Sequence, residues 1–212
     1  MSGPIALEGL DLAALLCSRV CHDLISPIGA IINGLEIMED GNDEETSKFA
    51  MDLIKKSAQT ASAKLQFCRI AFGAAGSAGA QIDTGDAEKV TRGLMENDKT
   101  KLQWNLPRVL LAKNRVKLLL NMLLLAAQAI PRGGQLIVDA TGEGESIGFR
   151  VTAAGLNARI PAAIPALLAG GSAEHPVDAH AIQPFYTGML AKNCGLTVAM
   201  EGEDGTVVVT AR

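Results

Sequence analysis

The fold is decided at Glu39-Asp40-Gly41-Asn42-Asp43, a short run of turn-forming and helix-capping residues between two long apolar patterns. On its N-terminal side, aliphatic residues recur at helical spacing and predict one helix over 7–40. On its C-terminal side, a second such pattern predicts a helix over 44–72, with buried positions at Phe49, Leu53, Ala61, Leu65, Cys68 and Phe72. Two long helices joined by a short turn form an antiparallel hairpin. Because their apolar faces are wide, we expect a second copy to cover them in a homodimeric four-helix bundle.

The pattern changes after a run of small residues, Gly73–Ala80, that is typical of an interdomain linker. We therefore place a helical-hairpin domain at 1–76 and a second domain at 77–212. In the second domain we expect helices over 85–97, 113–130, 161–169 and 179–194, a strand over 101–105, and hairpins over 135–140 with 147–152 and 196–200 with 206–210. The predicted fold class is α+β, with the helical hairpin followed by an α/β sandwich.

Composition excludes several classes of protein. The chain has 212 residues, of which 48% are hydrophobic and 20% charged, and its net charge is -4. No basic stripe is present, which argues against nucleic acid as a partner. The N-terminus lacks the basic flank of a signal peptide, and the longest apolar run, Leu118–Ile130, is too short to cross a bilayer, so we expect a cytoplasmic protein with no membrane contact. Four cysteines without a CxxC spacing are expected to be small core residues in a reducing compartment: Cys17, Cys21, Cys68 and Cys194.

One histidine lies within the first predicted helix, in Cys21-His22-Asp23-Leu24-Ile25-Ser26-Pro27. The positions on its helical face are mostly small or polar, so His22 should project into solvent where another protein can approach. These positions form the expected partner-binding face: Ser18, Arg19, Ile25, Ser26, Gly29 and Asn33. An exposed imidazole is a usable nucleophile when a carboxylate orients its second nitrogen, and Asp23 is the nearest candidate. Pro27 should bend the helix one turn later.

Other interpretations of the polar residues are weaker. An ordinary surface histidine remains the alternative to a functional His22. His175 and His180, with Glu174 and Asp178, have no metal-ligand spacing and are expected in a solvated loop. Ser172 lacks the surrounding sequence of a hydrolase nucleophile.

Three motifs together resemble a known family. His22-Asp23-Leu24-Ile25-Ser26-Pro27 is similar to the phosphoacceptor box of sensor histidine kinases. Asn121–Ala126 and Gly133–Val138 look like the Asn-box helix and the next strand of their ATP-binding domain. The resemblance covers nearly the whole chain in the kinase order.

The departures from the kinase pattern indicate what has been lost. The second asparagine expected to hold the nucleotide's magnesium is replaced by Leu125. The segment expected to carry the adenine-binding aspartate is Ala153–Ala158, which has no carboxylate, and the glycine-rich lid is replaced by Gln183–Leu190. The chain thereby resembles the alphaproteobacterial histidine phosphotransferases, which are dimers with a degenerate kinase-like domain.

This resemblance implies a phosphorelay in which no ATP is bound and the chain holds no cofactor. The receiver domain of a hybrid histidine kinase (CckA-like) would donate a phosphoryl group to His22, and response regulators (CtrA-like and CpdR-like) would accept it. Magnesium is expected on the partner receiver domain, Asp23 is expected to orient the ring, and Arg19 could meet the phosphoryl group. Two alternatives stay open: an active ATP-dependent sensor kinase core, and a non-catalytic dimeric adaptor that binds receivers.

Overall fold

Two long helices form the N-terminal third of the chain in the computed structural model, which describes residues 7–41, 43–74, 79–142, 147–171 and 177–212. Helix α1 spans Gly9–Glu39 and helix α2 spans Glu44–Ala71. Asp43 begins α2, since its carboxylate accepts the backbone N–H groups of Glu45 and Thr46 at 3.0 Å each. The predicted hairpin is therefore present, with bounds within two residues of those expected.

The hairpin is closely packed at Gly34, a buried residue of α1. A Cβ at this position would lie 2.6 Å from Ile54 Cγ1 and 3.2 Å from the Ala50 carbonyl oxygen. Only glycine lets the two helix backbones approach this closely, so this contact sets the separation of α1 and α2.

The remainder of the chain, after α2, alternates helices and strands. In chain order they are β1 (Gln81–Asp83), α3 (Thr84–Met95), β2 (Thr100–Trp104), β3 (Leu110–Ala112), α4 (Lys113–Ala129), β4 (Gly134–Thr141), β5 (Gly148–Ala154), α5 (Ile164–Leu168), α6 (Ile182–Asn193), β6 (Val198–Glu203) and β7 (Thr206–Ala211). The five main strands form one sheet in the order β2-β4-β5-β7-β6. β2 pairs with β4 in parallel and every other pair is antiparallel, including the two predicted hairpins.

Helix α4 forms the centre of the core. It packs on the sheet through β5 and β7 and also contacts α2, α3 and α6. A helix covered on several sides must be apolar nearly all round, and its residues from Val116 to Ala126 are buried except Leu124, which is half-buried. The core thus joins the sheet to the helical hairpin, so α4 and α6 lie close to the N-terminal helices.

Three sequence expectations about the fold were wrong. β1 and β3 were not predicted, because each has three residues and they pair with one another across a segment containing α3 and β2. Phe49 and Leu65 are 66% and 50% exposed rather than buried. Cys17 and Cys21 are exposed, whereas Cys68 and Cys194 are partly buried. The predicted domain boundary at 76/77 lies outside the described residues.

Helix α1 is the longest helix of the described residues and has a large exposed surface. By length and composition it is apolar enough to cross a membrane, although polar residues interrupt its apolar runs. Most of its surface is exposed in the single chain, and seven exposed apolar or cysteine side chains share one side: Leu10, Cys17, Cys21, Ile25, Ile28, Ile32 and Leu35. We call these seven residues the α1 stripe.

Candidate functional site

His22 stands on the middle of α1 with 60% of its side chain exposed. Ser18, Ser26 and Asn33 on the same face are also exposed, and Gly29 is partly buried. Ile25, which is 69% exposed, is the residue of the α1 stripe that lies nearest to this face. The expected low polar face around the imidazole is therefore present, and it is open to a partner.

Asp23 lies between the imidazole and a guanidinium group. Its Oδ1 is 3.8 Å from His22 Nδ1, which is longer than a hydrogen bond, and its Oδ2 accepts from Arg19 Nε at 3.0 Å. The Arg19 side chain is only 19% exposed, because it lies along the helix towards Asp23. Arg19 thus holds the carboxylate, and the carboxylate faces the Nδ1 side of the ring.

The backbone carbonyl of Asp23 has a partner from outside its helix. In an α-helix this oxygen would accept the N–H of the residue four positions later, but that residue is Pro27, which has no N–H. Lys64 of α2 reaches across the hairpin, and its Nζ donates to the Asp23 carbonyl oxygen at 2.6 Å. The proline therefore creates an acceptor next to the site, and Lys64 satisfies it.

A cavity of about 340 Å³ lies beside these groups, between the hairpin and the second domain. Arg19, Asp23, Lys64 and Cys68 line it together with apolar side chains from α2, α3 and α4. Burial, and the negative charge of Asp23 next to it, raise the pKa of the Cys68 thiol to about 11. Cys68 is consequently a protonated thiol at neutral pH.

The second domain also reaches His22. The ring of His180, in the turn before α6, lies with its centroid 4.8 Å from that of His22, and the two ring planes are 81° apart. His180 lies exposed in a turn, which agrees with the expected solvated loop, but its contact with His22 was not predicted. His175, Glu174 and Ser172 lie outside the described residues.

The kinase resemblance implies nucleotide binding at positions on α4 whose side chains are buried within the protein. Asn121 is fully buried, and its Nδ2 donates to the carbonyl oxygens of Ala71 and Lys117 at 3.1 and 2.9 Å. Its Oδ1 accepts from Gln183 Nε2 of α6 at 3.2 Å. Leu125 is fully buried in the same helix. Both donors and the acceptor of the Asn121 amide are thus used within the protein.

Sequence reasoning missed Lys64 and His180. Pro27 was a signal that the Asp23 carbonyl would need another donor, but no pattern indicated which residue, 41 positions away, would supply it. No sequence pattern linked His180 to His22. No metal site is indicated either, since the residues described contain no group of three or more His, Cys, Asp and Glu side chains arranged to hold an ion.

Comparison with known proteins agrees with this architecture. The family model of the histidine phosphotransferase C-terminal domain matches residues 84–206. The protein phosphotransferase ChpT of Brucella abortus (strain 2308) is 52% identical over 211 residues, which cover 100% of both chains. The chain belongs to the histidine phosphotransferase family. A solved structure of a bacterial phosphotransferase is 50% identical, with a TM-score of 0.90 over 99% of each chain.

Membership in the histidine phosphotransferase family makes the chain a phosphotransferase and confirms the predicted fold class. The family model lies entirely within the second domain, from the start of α3 to the start of β7. These two relatives are matched over the full chain, so the helical hairpin belongs to the shared architecture. A likeness to the histidine kinase AdeS of Acinetobacter baumannii is much weaker, at 14% identity and a TM-score of 0.45 over 90% of this chain and 95% of that one.

Proposed function

We propose that the chain is the histidine phosphotransferase of a multistep phosphorelay, with His22 as the residue that carries the phosphoryl group. The observation that supports this most directly is the exposed imidazole on a low polar face, with a guanidinium-held carboxylate on its Nδ1 side. A free nitrogen facing solvent is what an approaching aspartyl phosphate requires.

The transfer step is an in-line displacement at phosphorus. The Nε2 lone pair of neutral His22 attacks the phosphoryl group of a receiver aspartate, and the bond between phosphorus and the aspartate oxygen breaks. The receiver carboxylate leaves with the bonding electron pair. The imidazole keeps its proton on Nδ1 and gains positive charge, which the Asp23 carboxylate stabilises. The reverse reaction delivers the group to the next receiver.

The proposed donor is the receiver domain of a hybrid histidine kinase (CckA-like), and the proposed acceptors are response regulators (CtrA-like and CpdR-like). Magnesium would come with the receiver domain. Docking would use the exposed part of the face around His22, chiefly Ser18, Ser26 and Asn33, with Arg19 and Gly29 beside it. A small face of mixed polarity suits partners that must bind and leave in turn.

We further propose that the protein acts without ATP. Asn121 uses its amide within the core, and α6 packs against α4 at this position. Leu125 offers no oxygen ligand for a magnesium ion, and the fully buried Gln183 amide is hydrogen-bonded to Gln128, Asn121 and Thr187. An active sensor kinase core is the competing hypothesis.

A homodimer is the assembly we propose. The α1 stripe recurs at spacings of three, four and seven residues along the exposed side of α1, as in a helix that packs against a partner helix. Phe49 and Leu65 of α2 add exposed apolar surface to the hairpin. His22 is one residue from Cys21, so it lies about 100° around the helix from the middle of the stripe and would stay accessible.

The α1 stripe also bears on the cellular location of the protein, and we propose that the protein is cytoplasmic. A helix that spans a membrane is apolar all round. The side of α1 opposite the stripe instead carries the Arg19–Asp23 pair and accepts the Lys64 ammonium group. A second hairpin fits such a helix better than lipid does.

The decisive experiment incubates the protein with a receiver domain that carries a labelled aspartyl phosphate. We expect an acid-labile, base-stable label on His22 and a second transfer when an unphosphorylated receiver is added. His22→Ala should take up no label, whereas His175→Ala, which removes another of the three histidines, should behave as the unmodified protein.

Two results would contradict the proposed function. Uptake of label by His22→Ala would move the nucleophile elsewhere, and receiver binding without any labelling of the unmodified protein would favour the adaptor. Incubation with γ-labelled ATP alone is expected to leave the protein unlabelled; labelling of His22 in that reaction would establish the kinase instead.

A further inference from the structure

His180 brings a second imidazole to the proposed phosphotransfer site. Its ring meets the ring of His22 at 81°, with the centroids 4.8 Å apart, which is the edge-to-face geometry that aromatic rings prefer. The contact comes from the other half of the chain, so it joins the second domain to the exposed face of α1.

The turn that carries His180 is ordered by its own hydrogen bonds. Asp178 Oδ1 accepts the backbone N–H groups of His180 and Ala181 at 2.8 Å each. These bonds, that of Ala181 first, lower the pKa of the Asp178 carboxyl group, so the carboxylate is ionised throughout the neutral range. The backbone at His180 is thereby fixed relative to the first turn of α6.

Helix α6 is in turn fixed to the hairpin through a buried polar network. Gln183, fully buried, donates from Nε2 to the backbone oxygen and to Oδ1 of Asn121. Asn121 donates to the carbonyl oxygen of Ala71, the last residue of α2. Removing a partner from a buried amide destabilises the folded protein. The network therefore holds α6, and with it His180, in one place against α1.

An exposed histidine on a helix would otherwise rotate about two side-chain bonds. Phosphoryl transfer needs one ring nitrogen aimed at phosphorus in line with the leaving oxygen, and the orientation must be established before or during docking. Asp23 alone holds the ring weakly, because its Oδ1 is 3.8 Å from Nδ1. A second contact, on the face or edge of the ring, would restrict the rotation that Asp23 leaves free.

We propose that His180 is a positioning residue for His22. This inference rests on the proposed phosphotransfer function. The ring of His180 holds the His22 imidazole with Nδ1 towards Asp23 and Nε2 towards the receiver, and the contact acts through ring shape rather than through a proton. The second domain, which binds no nucleotide in the proposed function, thereby contributes to the transfer step.

The test replaces His180 with three residues that separate its ring from its bulk. His180→Ala removes the side chain, His180→Leu keeps apolar bulk without a ring, and His180→Phe keeps a flat ring without a titratable nitrogen. The measured quantities are the rate constant for labelling of His22 by a phosphorylated receiver, the affinity for the unphosphorylated receiver, and the melting temperature.

We expect labelling to slow about tenfold in His180→Ala and His180→Leu, the size of effect that loss of one aromatic contact produces. His180→Phe should stay within about twofold of the unmodified protein, and the melting temperatures should agree. An unchanged rate in His180→Ala would overturn the inference. So would rescue by leucine equal to that by phenylalanine, or failure of phenylalanine to rescue.

A second readout does not depend on phosphoryl transfer. In the full chain, aromatic NMR spectra should show nuclear Overhauser contacts between the His22 and His180 rings, and His22 should adopt one rotamer. In His180→Ala the His22 signals should average over several rotamers. Absence of the contact in the unmodified protein would refute the positioning role. If the contact is present but a phosphorylated receiver does not label the protein, only the proposed function is refuted.

Discussion

Pro27 and Lys64 show how one residue can determine the surroundings of a site. Proline removes the N–H that would bind the Asp23 carbonyl oxygen, and Lys64 supplies a hydrogen bond of 2.6 Å in its place. The lysine thereby fixes α2 against the turn of α1 that carries His22. A proline that would only bend an isolated helix here creates a specific contact between two helices.

The Lys64 contact predicts a coupled effect of two substitutions. Lys64→Met should lower the free energy of unfolding by about 1 kcal/mol, because a partly buried acceptor loses its donor. Pro27→Ala supplies an intrahelical N–H, so the cost of Lys64→Met should shrink in that background. Urea unfolding of the four proteins measures the coupling, with Lys56→Met, an exposed lysine on the same helix, as the control. Additive effects of the two substitutions would show that Lys64 does not replace the missing donor.

Cys68 gives a prediction that depends on pH. Its pKa is raised to about 11, from an ordinary value of 9.0, so the reactive thiolate is depleted in the folded protein. The rate of alkylation by iodoacetamide should still rise about tenfold per pH unit between pH 9 and 10, where an ordinary thiol levels off. Mass spectrometry of the peptide that contains Cys68 measures this rate, and the urea-unfolded chain is the reference. A plateau near pH 9 in the folded protein would contradict the assignment.

At the scale of elements, the hairpin of α1 and α2 depends on close backbone approach. Periodicity predicted both helices and the turn between them, and their observed bounds agree closely. Periodicity did not indicate that Gly34 would lie against Ile54, since a glycine within a helical pattern can equally be exposed. Gly93 in α3 is such a case, with no atom within 4 Å of the position its Cβ would occupy.

These two glycines should respond in opposite directions to alanine. Gly34→Ala should lower the melting temperature, because the new methyl group would overlap Ile54 and force the helices apart. Gly93→Ala should raise stability by about 0.5–1 kcal/mol, since alanine favours the helix and meets no neighbour there. Calorimetry on both variants checks the pair. A stabilising effect of Gly34→Ala would show that α1 and α2 can move apart without loss of folding free energy.

At the scale of the whole molecule, apolar side chains of the hairpin are exposed in the single chain, whereas those around α4 are fully buried. The α1 stripe contrasts with the dense core between α4 and the sheet, where the side chains are fully buried. Contiguous exposed apolar surface is typical of sites that contact another protein or a membrane, and the dimer proposed above would cover it. Phe49 and Leu65, which were predicted to be buried, add to the exposed apolar surface of the single chain.

The proposed dimer is tested by charge on the stripe. Ile28→Glu combined with Ile32→Glu should convert the protein to a monomer, because two carboxylates would be buried in the apolar interface. Light scattering coupled to size-exclusion chromatography gives the mass. Leu156→Glu is the matched control, since Leu156 is 70% exposed but lies in the second domain. A monomeric unmodified protein, or a double variant that remains dimeric, would exclude the stripe as the interface.

The sequence by itself determined the two-helix hairpin, the order of the main helices and strands, the exposure of His22 and the residue types that differ from the kinase motifs it resembles. Each of these follows from local periodicity or from residue type at a motif position. Only the tertiary structure decided that Lys64 satisfies the Asp23 carbonyl, that Asn121 joins α4 to the end of α2, and that His180 lies against His22. These contacts join residues distant in the chain, and no local pattern encodes which distant partner packing will bring to a polar group.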